Sequence, residues 1–297
     1  MTHRTVIAGM TPPSHAVRAL KGLVLTALCA VVAVPFLGVL ATSLAPRKQV
    51  VDAGGFVLWP STVTFDAYQA IFSGGVVSRA LTVSLGITVV GTAVALTCTV
   101  TLAYALSRPG SFGSRPMLMI VLASLLFGPG LIPSYLLVQS LGLLDSYAAL
   151  IVPVAVNAFN VIVMRAFFMD LPQELLDSAR IDGAGELTML VRIVLPLSKA
   201  VTAVIGLFYL VGFWNSFFTA LLYMNDTGKW PLQLVLRTYV VNNTALGTDQ
   251  IGASEALPPQ QSIQMAILVV SIVPILLVYP FLQRHFAKGM LAGAVKG

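Results

Sequence analysis

Residues 80–106 read ALTVSLGITVVGTAVALTCTVTLAYAL, an apolar run that contains no charged side chain. A helix needs about 20 mainly apolar residues to cross the hydrocarbon core of a bilayer. The run is long enough for this, and it lacks the alternating polarity that marks the shorter strands of a membrane β-barrel. It therefore predicts a membrane-spanning helix and decides for a helical membrane protein.

Five further segments have the length and the apolar composition of membrane spans. The whole chain agrees, since 57% of its 297 residues are hydrophobic and only 9% are charged, whereas a soluble domain carries about 25% charged residues. This composition argues against a soluble enzyme or a disordered chain. We predict an all-α, polytopic bundle in the lipid bilayer with six transmembrane helices at about 22–44, 80–106, 117–139, 146–168, 198–222 and 262–282.

The distribution of basic residues predicts the orientation of this bundle. With the N-terminus in the cytoplasm, the inner segments hold twelve of the 17 Lys and Arg residues and the outer segments hold five. Cytoplasmic loops carry the excess of positive charge in membrane proteins, so both termini are expected in the cytoplasm. The net charge of +6 then reflects topology, and no nucleic-acid partner is expected. The predicted parts are a tail 1–21, an uncleaved anchor helix 22–44, a bundle that extends to 282 and a tail 283–297.

The sequence offers no catalytic or metal-binding constellation. His3 and His15 lie in the N-terminal tail and His285 follows the last span, while Cys29 and Cys98 lie inside apolar runs. A phosphate-binding loop of the G-x-x-x-x-G-K-[ST] type is absent. We therefore expect neither an enzyme nor a bound metal or cofactor. The span centres also lack the ionisable residues of proton-driven pumps, so the energy for any transport must come from elsewhere.

The segment 169–197 lies between spans on the predicted cytoplasmic side. Pro172 suits the start of a helix, and Gly183 suits its end because glycine adopts the left-handed conformation at little cost. A second helix, at about 186–194, would be ended at the membrane surface by Pro196. The pattern predicts a short helix-turn-helix outside the membrane, which could be a connector that covers helix ends.

This segment also resembles a family signature. Its residues 177–179, Gly183, Ile193 and 195–196 follow the spacing E-A-A-x3-G-x9-I-x-L-P of inner-membrane permease subunits of binding-protein-dependent ABC importers. Asp177 replaces the Glu and Ser178 the first Ala, while the later positions match. Further stretches resemble the carbohydrate branch of this family, with six spans of the maltose-transporter type and relatives in multiple-sugar and complex-oligosaccharide uptake: 103–108, 130–137, 164–168, 214–218, 231–237 and 288–297.

The resemblance implies the type I ABC importer permease fold, with 80–282 as the permease domain and a cytoplasmic coupling helix in 169–197. It implies a bacterial cell membrane location and four kinds of partner: a second permease in a heterodimer, two ATP-binding subunits that hold ATP and Mg²⁺, an extracytoplasmic solute-binding protein, and a sugar. The ATPase-coupling residues would be Glu174, Asp177, Ser178, Ala179, Gly183, Ile193, Leu195 and Pro196.

Two further groups of residues are candidates for ligand and partner contacts. Amides and aromatic rings suit the hydroxyl groups and C–H faces of a sugar, so the expected substrate pathway holds Asn157, Asn160, Tyr135, Trp214 and Asn215. Asparagine in a membrane helix can equally serve packing between helices. The outer segment 223–261 would dock the binding protein through Tyr223, Trp230 and Gln233, although aromatic residues also gather at membrane interfaces.

The sequence therefore predicts a transport subunit that passes a sugar or oligosaccharide across the membrane, powered by a separate ATPase. Two alternatives stay open. One is an ABC permease for an amino acid, a peptide or an anion. The other is a self-sufficient secondary transporter or channel, which would need no coupling helix.

Overall fold

The computed structural model describes residues 15–108, 110–242 and 258–294, with side chains up to residue 280. Throughout this part of the chain the regular structure is helical and contains no strand. Most of the predicted N-terminal tail, residues 243–257 of the predicted outer loop and the last three residues lie outside the described residues.

Three long helices lie over three of the predicted spans. Helix α1 (His15–Leu44) contains the anchor 22–44, and two short helices, α2 (Arg47–Asp52) and α3 (Asp66–Ser73), follow it in what was predicted as an outer loop. Helix α4 (Val76–Ser107) extends the charge-free run by one turn at its start.

The predicted spans 117–139, 146–168 and 198–222 are each broken, so the expectation of one continuous helix in each is wrong. The first consists of α5 (Ser114–Leu126) and α6 (Leu131–Ser140), and the second of α7 (Tyr147–Ile151), a 3₁₀ turn at Val152–Val154 and α8 (Ala158–Met169). The first break contains Gly-Pro-Gly at 128–130, where Gly130 has a positive φ of 82°. Proline cannot continue the backbone hydrogen bonds of a helix, so the chain turns there.

The segment 169–197 consists of two helices joined by a turn, as predicted. Helix α9 (Gln173–Ile181) is followed by α10 (Glu186–Met189), a π-helical turn (Leu190–Val194) and α11 (Leu195–Leu197). Pro196 does not end this helix, because it lies in the first turn of α11, where its missing N–H breaks no hydrogen bond. The chain instead bends by 88° at Ser198 before α12 (Lys199–Trp214).

The remaining described elements complete the third broken span, lie in the predicted outer segment 223–261 and form the last predicted span. Helix α13 (Phe217–Tyr223) completes the broken span 198–222. A 3₁₀ turn (Thr227–Lys229), α14 (Leu232–Leu236) and a π-helical turn (Arg237–Val241) then give the outer segment structure of its own, and α15 (Gln260–Ala294) covers the last predicted span.

The number of membrane spans depends on how bent helices are counted. Within the described residues, three helices are long and apolar enough to cross a membrane, and five spans result if each of two bent helix pairs counts as one. These pairs bend by 49° at the break before α8 and by 88° before α12. Helices α5 and α6 are too short to be counted alone.

The chain divides into two compact units, and the second contains the larger core. In that unit α4 packs along α8 and α12. A stripe of small or short side chains on α4, spaced by four residues, is buried there: Gly91, Ala95, Thr99 and Ala103. A Cβ at Gly91 would lie 2.9 Å from the ring of Phe213. Small residues at this spacing allow membrane helices to approach closely.

In the first unit, the side chain of Thr42 holds the chain that follows α2. Its hydroxyl donates to the carbonyl of Val57 at 3.1 Å, and the same oxygen accepts the N–H of Val57 at 2.8 Å. Tyr68 shares a 2.8 Å hydrogen bond with Ser43. These bonds tie the segment after α1 back onto the end of that helix.

Candidate functional site

A cavity of about 500 Å³ lies beside the breaks before α8 and after α12. Its lining carries no charged side chain. Three of the five predicted pathway residues, Asn157, Asn160 and Asn215, line it together, although they come from two different spans. The other polar groups are hydroxyls, and the apolar wall includes several aromatic rings: Phe159, Phe208, Phe213, Phe217 and Phe218.

Two of the amide side chains lie at helix termini beside the cavity. The Oδ1 atom of Asn157 accepts the N–H of Asn160 at 3.1 Å and so caps the start of α8. The Nδ2 atom of Asn215 donates to the carbonyl of Val211 at 3.0 Å at the end of α12. Among the described residues, the Nδ2 of Asn157 and the Oδ1 of Asn215 have no protein partner. A donor and an acceptor therefore remain for a neutral polar ligand.

The hydroxyl of Tyr209 joins three helices at this cavity. It shares a 2.6 Å hydrogen bond with the Oγ1 of Thr99 on α4 and accepts the backbone N–H of Asn157 at 3.1 Å. The ring stacks on Phe213, with the centroids 6.4 Å apart. The break before α8 is thus held by a side chain of α12 that is itself anchored on α4.

The other two predicted pathway residues do not line the cavity. Trp214 is buried on another face of α12, where its Nε1 donates to the carbonyl of Ser271 at 3.2 Å. Tyr135 stacks on Tyr223 with a centroid distance of 6.3 Å. The rings that do line the cavity were missed. Phe159 and Phe217 offered a signal, because each lies two residues after an amide at a helix break, Asn157 and Asn215.

Helix α9, the predicted coupling helix, exposes only part of the predicted coupling set. Leu176 and Ala179 are buried inside the chain, at 2% and 8% exposure, so they are not available to a partner. Leu175 and Ile181 remain exposed on α9, beside three exposed residues of the predicted coupling set: Glu174, Asp177 and Ser178. The helix therefore offers a mixed acidic and apolar surface to a partner.

The turn after α9 depends on Gly183, as predicted. Its φ is +80°. The N–H of Gly183 donates to the carbonyl of Arg180 at 3.0 Å, and the N–H of Ala184 donates to that of Ala179 at 2.9 Å. This pair of bonds closes a helix end when glycine is left-handed. Ile193 and Leu195 then pack half-buried against the main core, while Pro196 is exposed.

Residues 95–292 match the family model for the inner membrane component of binding-protein-dependent transport systems. The chain belongs to this family of ABC permeases. It is a membrane component of a transporter and not an enzyme. Protein LplC of Bacillus subtilis (strain 168) is 50% identical over 90% of each chain. The polygalacturonan/rhamnogalacturonan transport system permease protein YtcP of the same organism is 47% identical over 89% of this chain and 92% of its own.

A solved structure confirms the type I ABC permease fold. The crystal structure of a bacterial ABC transporter involved in the import of the acidic polysaccharide alginate contains a chain with a TM-score of 0.84 and 28% identity. The match covers 93% of this permease and 100% of that chain. The expected multi-pass membrane protein is thereby supported.

The connection after α13, which was predicted to be an outer loop, is held by Asp145, which follows α6. The Oδ1 of Asp145 accepts the N–H groups of Asn225 and Asp226 at 3.1 and 3.0 Å, and its Oδ2 lies 3.1 Å from the Nζ of Lys229. These contacts, chiefly the N–H of Asp226 and then the ammonium of Lys229, lower the pKa of Asp145. The permease therefore keeps this carboxylate ionised to a lower pH than that of a free aspartate.

The predicted docking residues occupy different environments around this connection. Trp230 and Gln233 are half-buried. Tyr223 is 5% exposed and packs in the core of the permease, so it is not part of an outer surface. The ring of Tyr223, which was predicted to contact the binding protein, instead stacks on Tyr135.

Replacing Asp145 should loosen the connection that it holds. In Asp145→Ala, the amides of Asn225 and Asp226 lose their acceptor, and alanine is strained at the φ of 58° found there. Hydrogen–deuterium exchange of those two amides should therefore accelerate. In Asp145→Asn the exchange rate should lie between those of Asp145→Ala and the unaltered permease, because asparagine tolerates this backbone and keeps one acceptor.

The pH dependence of this exchange has a defined sign. A lowered pKa means that the carboxylate stabilises the connection above its unfolded-state pKa and that this stabilisation is lost as the pH falls through the folded-state pKa. Protection should therefore be unchanged from neutral pH down to the ordinary titration range of aspartate. Loss of protection well above that range would contradict the assignment of Asp145.

Proposed function

We propose that this permease passes a sugar or oligosaccharide, delivered by an extracytoplasmic binding protein, across the membrane of a bacterial cell. One observation carries the proposal: an uncharged cavity in which amide groups adjoin aromatic rings. Binding sites for small neutral ligands combine an apolar and aromatic wall with a few placed polar groups. Sugar hydroxyls would use the open donor of Asn157 and the open acceptor of Asn215, and the C–H faces would lie on the rings.

The names of two similar transporters support this substrate class. One relative is named for polygalacturonan and rhamnogalacturonan transport, and the solved transporter imports the acidic polysaccharide alginate. The lack of charged lining side chains favours saccharides over amino acids, whose ammonium group would need an acidic partner.

The proposed topology has six spans, both termini in the cytoplasm, and a permease domain over 80–282 between the anchor helix and the C-terminal tail. The spans at 117–139, 146–168 and 198–222 cross as broken helices. Non-helical backbone is tolerated at membrane depth where it is buried in protein or lines a water-filled cavity, and the breaks at Asn157 and Asn215 adjoin the cavity. The excess of basic residues on the inner segments supports the orientation.

The proposed complex contains a second permease chain, two ATP-binding subunits that hold ATP and Mg²⁺, and the binding protein. Helix α9 would dock on an ATPase through its exposed residues Glu174, Leu175, Asp177 and Ser178. A carboxylate such as that of Asp177 can accept charge-assisted hydrogen bonds from a basic partner. Trp230 and Gln233 stay candidates for contact with the binding protein.

Reconstitution of the whole complex in proteoliposomes tests this function. Labelled oligogalacturonate and a neutral oligosaccharide of equal length would be offered with the binding protein, with and without ATP inside the vesicles. We expect uptake of at least one of them that requires both ATP and the binding protein. Uptake without ATP would favour a secondary transporter, and uptake of an amino acid in place of both saccharides would contradict the substrate class.

The substitution Asn215→Leu should weaken transport without disturbing assembly. It removes one amide from the cavity wall, and loss of one hydrogen bond corresponds to about a three- to tenfold effect on the apparent affinity for the sugar. The matched control is Asn242→Leu, because Asn242 is exposed and does not line the cavity. Unchanged uptake kinetics in Asn215→Leu would reassign Asn215 to helix packing.

A further inference from the structure

Three side chains meet at the cytoplasmic end of α4. The guanidinium of Arg108 lies over the ring of Tyr104, 4.3 Å from its centroid, and donates to the Tyr104 hydroxyl at 2.6 Å. That hydroxyl donates to the Oε2 of Glu186 at 2.5 Å, and the Nε of Arg108 lies 3.6 Å from the same oxygen. The three groups form a closed cluster, in which Glu186 lies 78 positions after Arg108 and 82 after Tyr104 in the sequence.

Glu186 is the first residue of α10 and belongs to the coupling segment. On its other side it faces Arg180 of α9, with 3.9 Å between Oε1 and the guanidinium. Arg180 in turn contacts Asp177 at 3.0 Å. An unbroken series of polar contacts therefore leads from Asp177, on the exposed face of α9, to the end of α4.

The environment makes Glu186 hard to replace. The side chain of Arg108 is only 10% exposed, and Glu186 is the only acid in contact with it among the described residues. Removal of the partner of a buried charge is costly because the remaining charge stays desolvated. Phe168 also packs edge-on against Tyr104 with a centroid distance of 6.5 Å, so the ring cannot swing away freely.

Helix α4 connects this cluster with the cavity. It runs for 32 residues without an internal proline, so it can move as one body. Its stripe of small residues packs on α12, and Thr99 in that stripe holds the hydroxyl of Tyr209 at the cavity. A displacement of Glu186 therefore reaches the break at Asn157 through one continuous helix and one hydrogen-bonded side chain.

We propose that Tyr104, Arg108 and Glu186 form the joint through which the coupling segment moves α4 and so links ATP hydrolysis to the opening of the cavity. The inference rests on the proposed function. These are positioning residues, since none of them contacts the sugar or the nucleotide. Their task is to keep α10 and α4 from moving independently, and a site-to-site coupling of this kind requires such a shared element.

The test uses the full complex, with both permease chains, the ATPase subunits and the binding protein, in proteoliposomes. Tyr104→Phe and Glu186→Gln would be compared with the unaltered complex by the number of ATP molecules hydrolysed per sugar imported. We expect this ratio to rise about tenfold, within the usual range of coupling between sites. The ATPase subunits should still co-purify in the normal proportion.

The double variant tests whether Tyr104 and Glu186 act as one unit or independently. If the hydroxyl and the carboxylate act as one unit, Tyr104→Phe combined with Glu186→Gln should be no worse than the more affected single variant. Arg115→Gln serves as the matched control, because Arg115 is an exposed cation at the start of α5, and it should keep the normal ratio.

Three results would overturn the joint. They are a normal ratio in both single variants, loss of the ATPase subunits from the complex, or additive effects in the double variant. Tyr104→Phe keeps the ring beneath Arg108, so it remains informative where Glu186→Gln fails to fold. Failure of the proposed function is distinguishable, because the unaltered complex would then import no saccharide with ATP and the binding protein.

Discussion

Replacement of Gly183 by valine should abolish transport while leaving membrane insertion intact. Gly183 has a φ of +80°, a region that a β-branched residue enters at a cost of roughly 1–3 kcal/mol. A Cβ at this position would meet no atom within 4 Å, so the effect is conformational and not steric. Relief of the strain breaks the two bonds that close α9 and turns the coupling helix away from its partner. ATP-dependent uptake and the amount of permease in the membrane are the two measurements.

The controls for this variant lie in the same turn. Gly185 also has open space around it, but its φ is −71°, which valine adopts without strain. Gly185→Val should therefore transport normally. Gly183→Asn should retain part of the activity, since asparagine visits the left-handed region more readily than valine. Normal uptake in Gly183→Val would contradict the assignment of α9 as the coupling helix.

Replacement of Tyr209 by phenylalanine should destabilise the permease and reduce uptake. The variant keeps the ring but leaves the buried Oγ1 of Thr99 and the N–H of Asn157 without this partner. An unsatisfied buried group such as the Thr99 hydroxyl costs about 1–3 kcal/mol. The midpoint of thermal unfolding in detergent should fall, and the break before α8 should lose its fixed angle.

Tyr223→Phe is the matched control for Tyr209→Phe. Tyr223 is also buried in the same core, but its hydroxyl has no hydrogen bond among the described residues. Loss of that hydroxyl should leave both stability and uptake close to normal. Equal effects in the two variants would mean that the hydroxyl of Tyr209 has no special part in holding the break.

The helical class and several local features follow from the sequence because their physical cause is local. In a membrane, the backbone N–H and C=O groups of the single charge-free run 80–106 can all be hydrogen-bonded only if the run forms a helix. Helix α4 contains this run. Gly183 marks a turn because few other residues enter its conformation. The breaks were not predictable in the same way. Proline and asparagine also occur inside continuous membrane helices, where neighbouring side chains satisfy the open carbonyls, so the residues alone do not decide.

The amide groups of the candidate site could be predicted from the sequence, but the aromatic rings that line it could not. Asn157, Asn160 and Asn215 stand out because a polar side chain in an apolar run needs a partner or a cavity. Trp214 does not line the cavity, because its ring lies on another face of α12 and donates to the carbonyl of Ser271. The cluster of Tyr104, Arg108 and Glu186 could not be predicted, since Glu186 meets the other two only through the packing of distant segments.

The π-helical turn Leu190–Val194 has a consequence for insertions and deletions. A π turn is an α-helix with one extra residue in a single turn. Deletion of one residue here would let the helix close as an ordinary α-helix, and the residues after the turn would keep nearly the same faces, because the wide turn holds the extra residue. Leu195 would then still meet the core that it now contacts. Deletion of two residues would leave the helix one residue short and rotate everything after it by about 100°. A permease shortened by one residue in this turn should therefore still transport, whereas one shortened by two should insert but fail to couple.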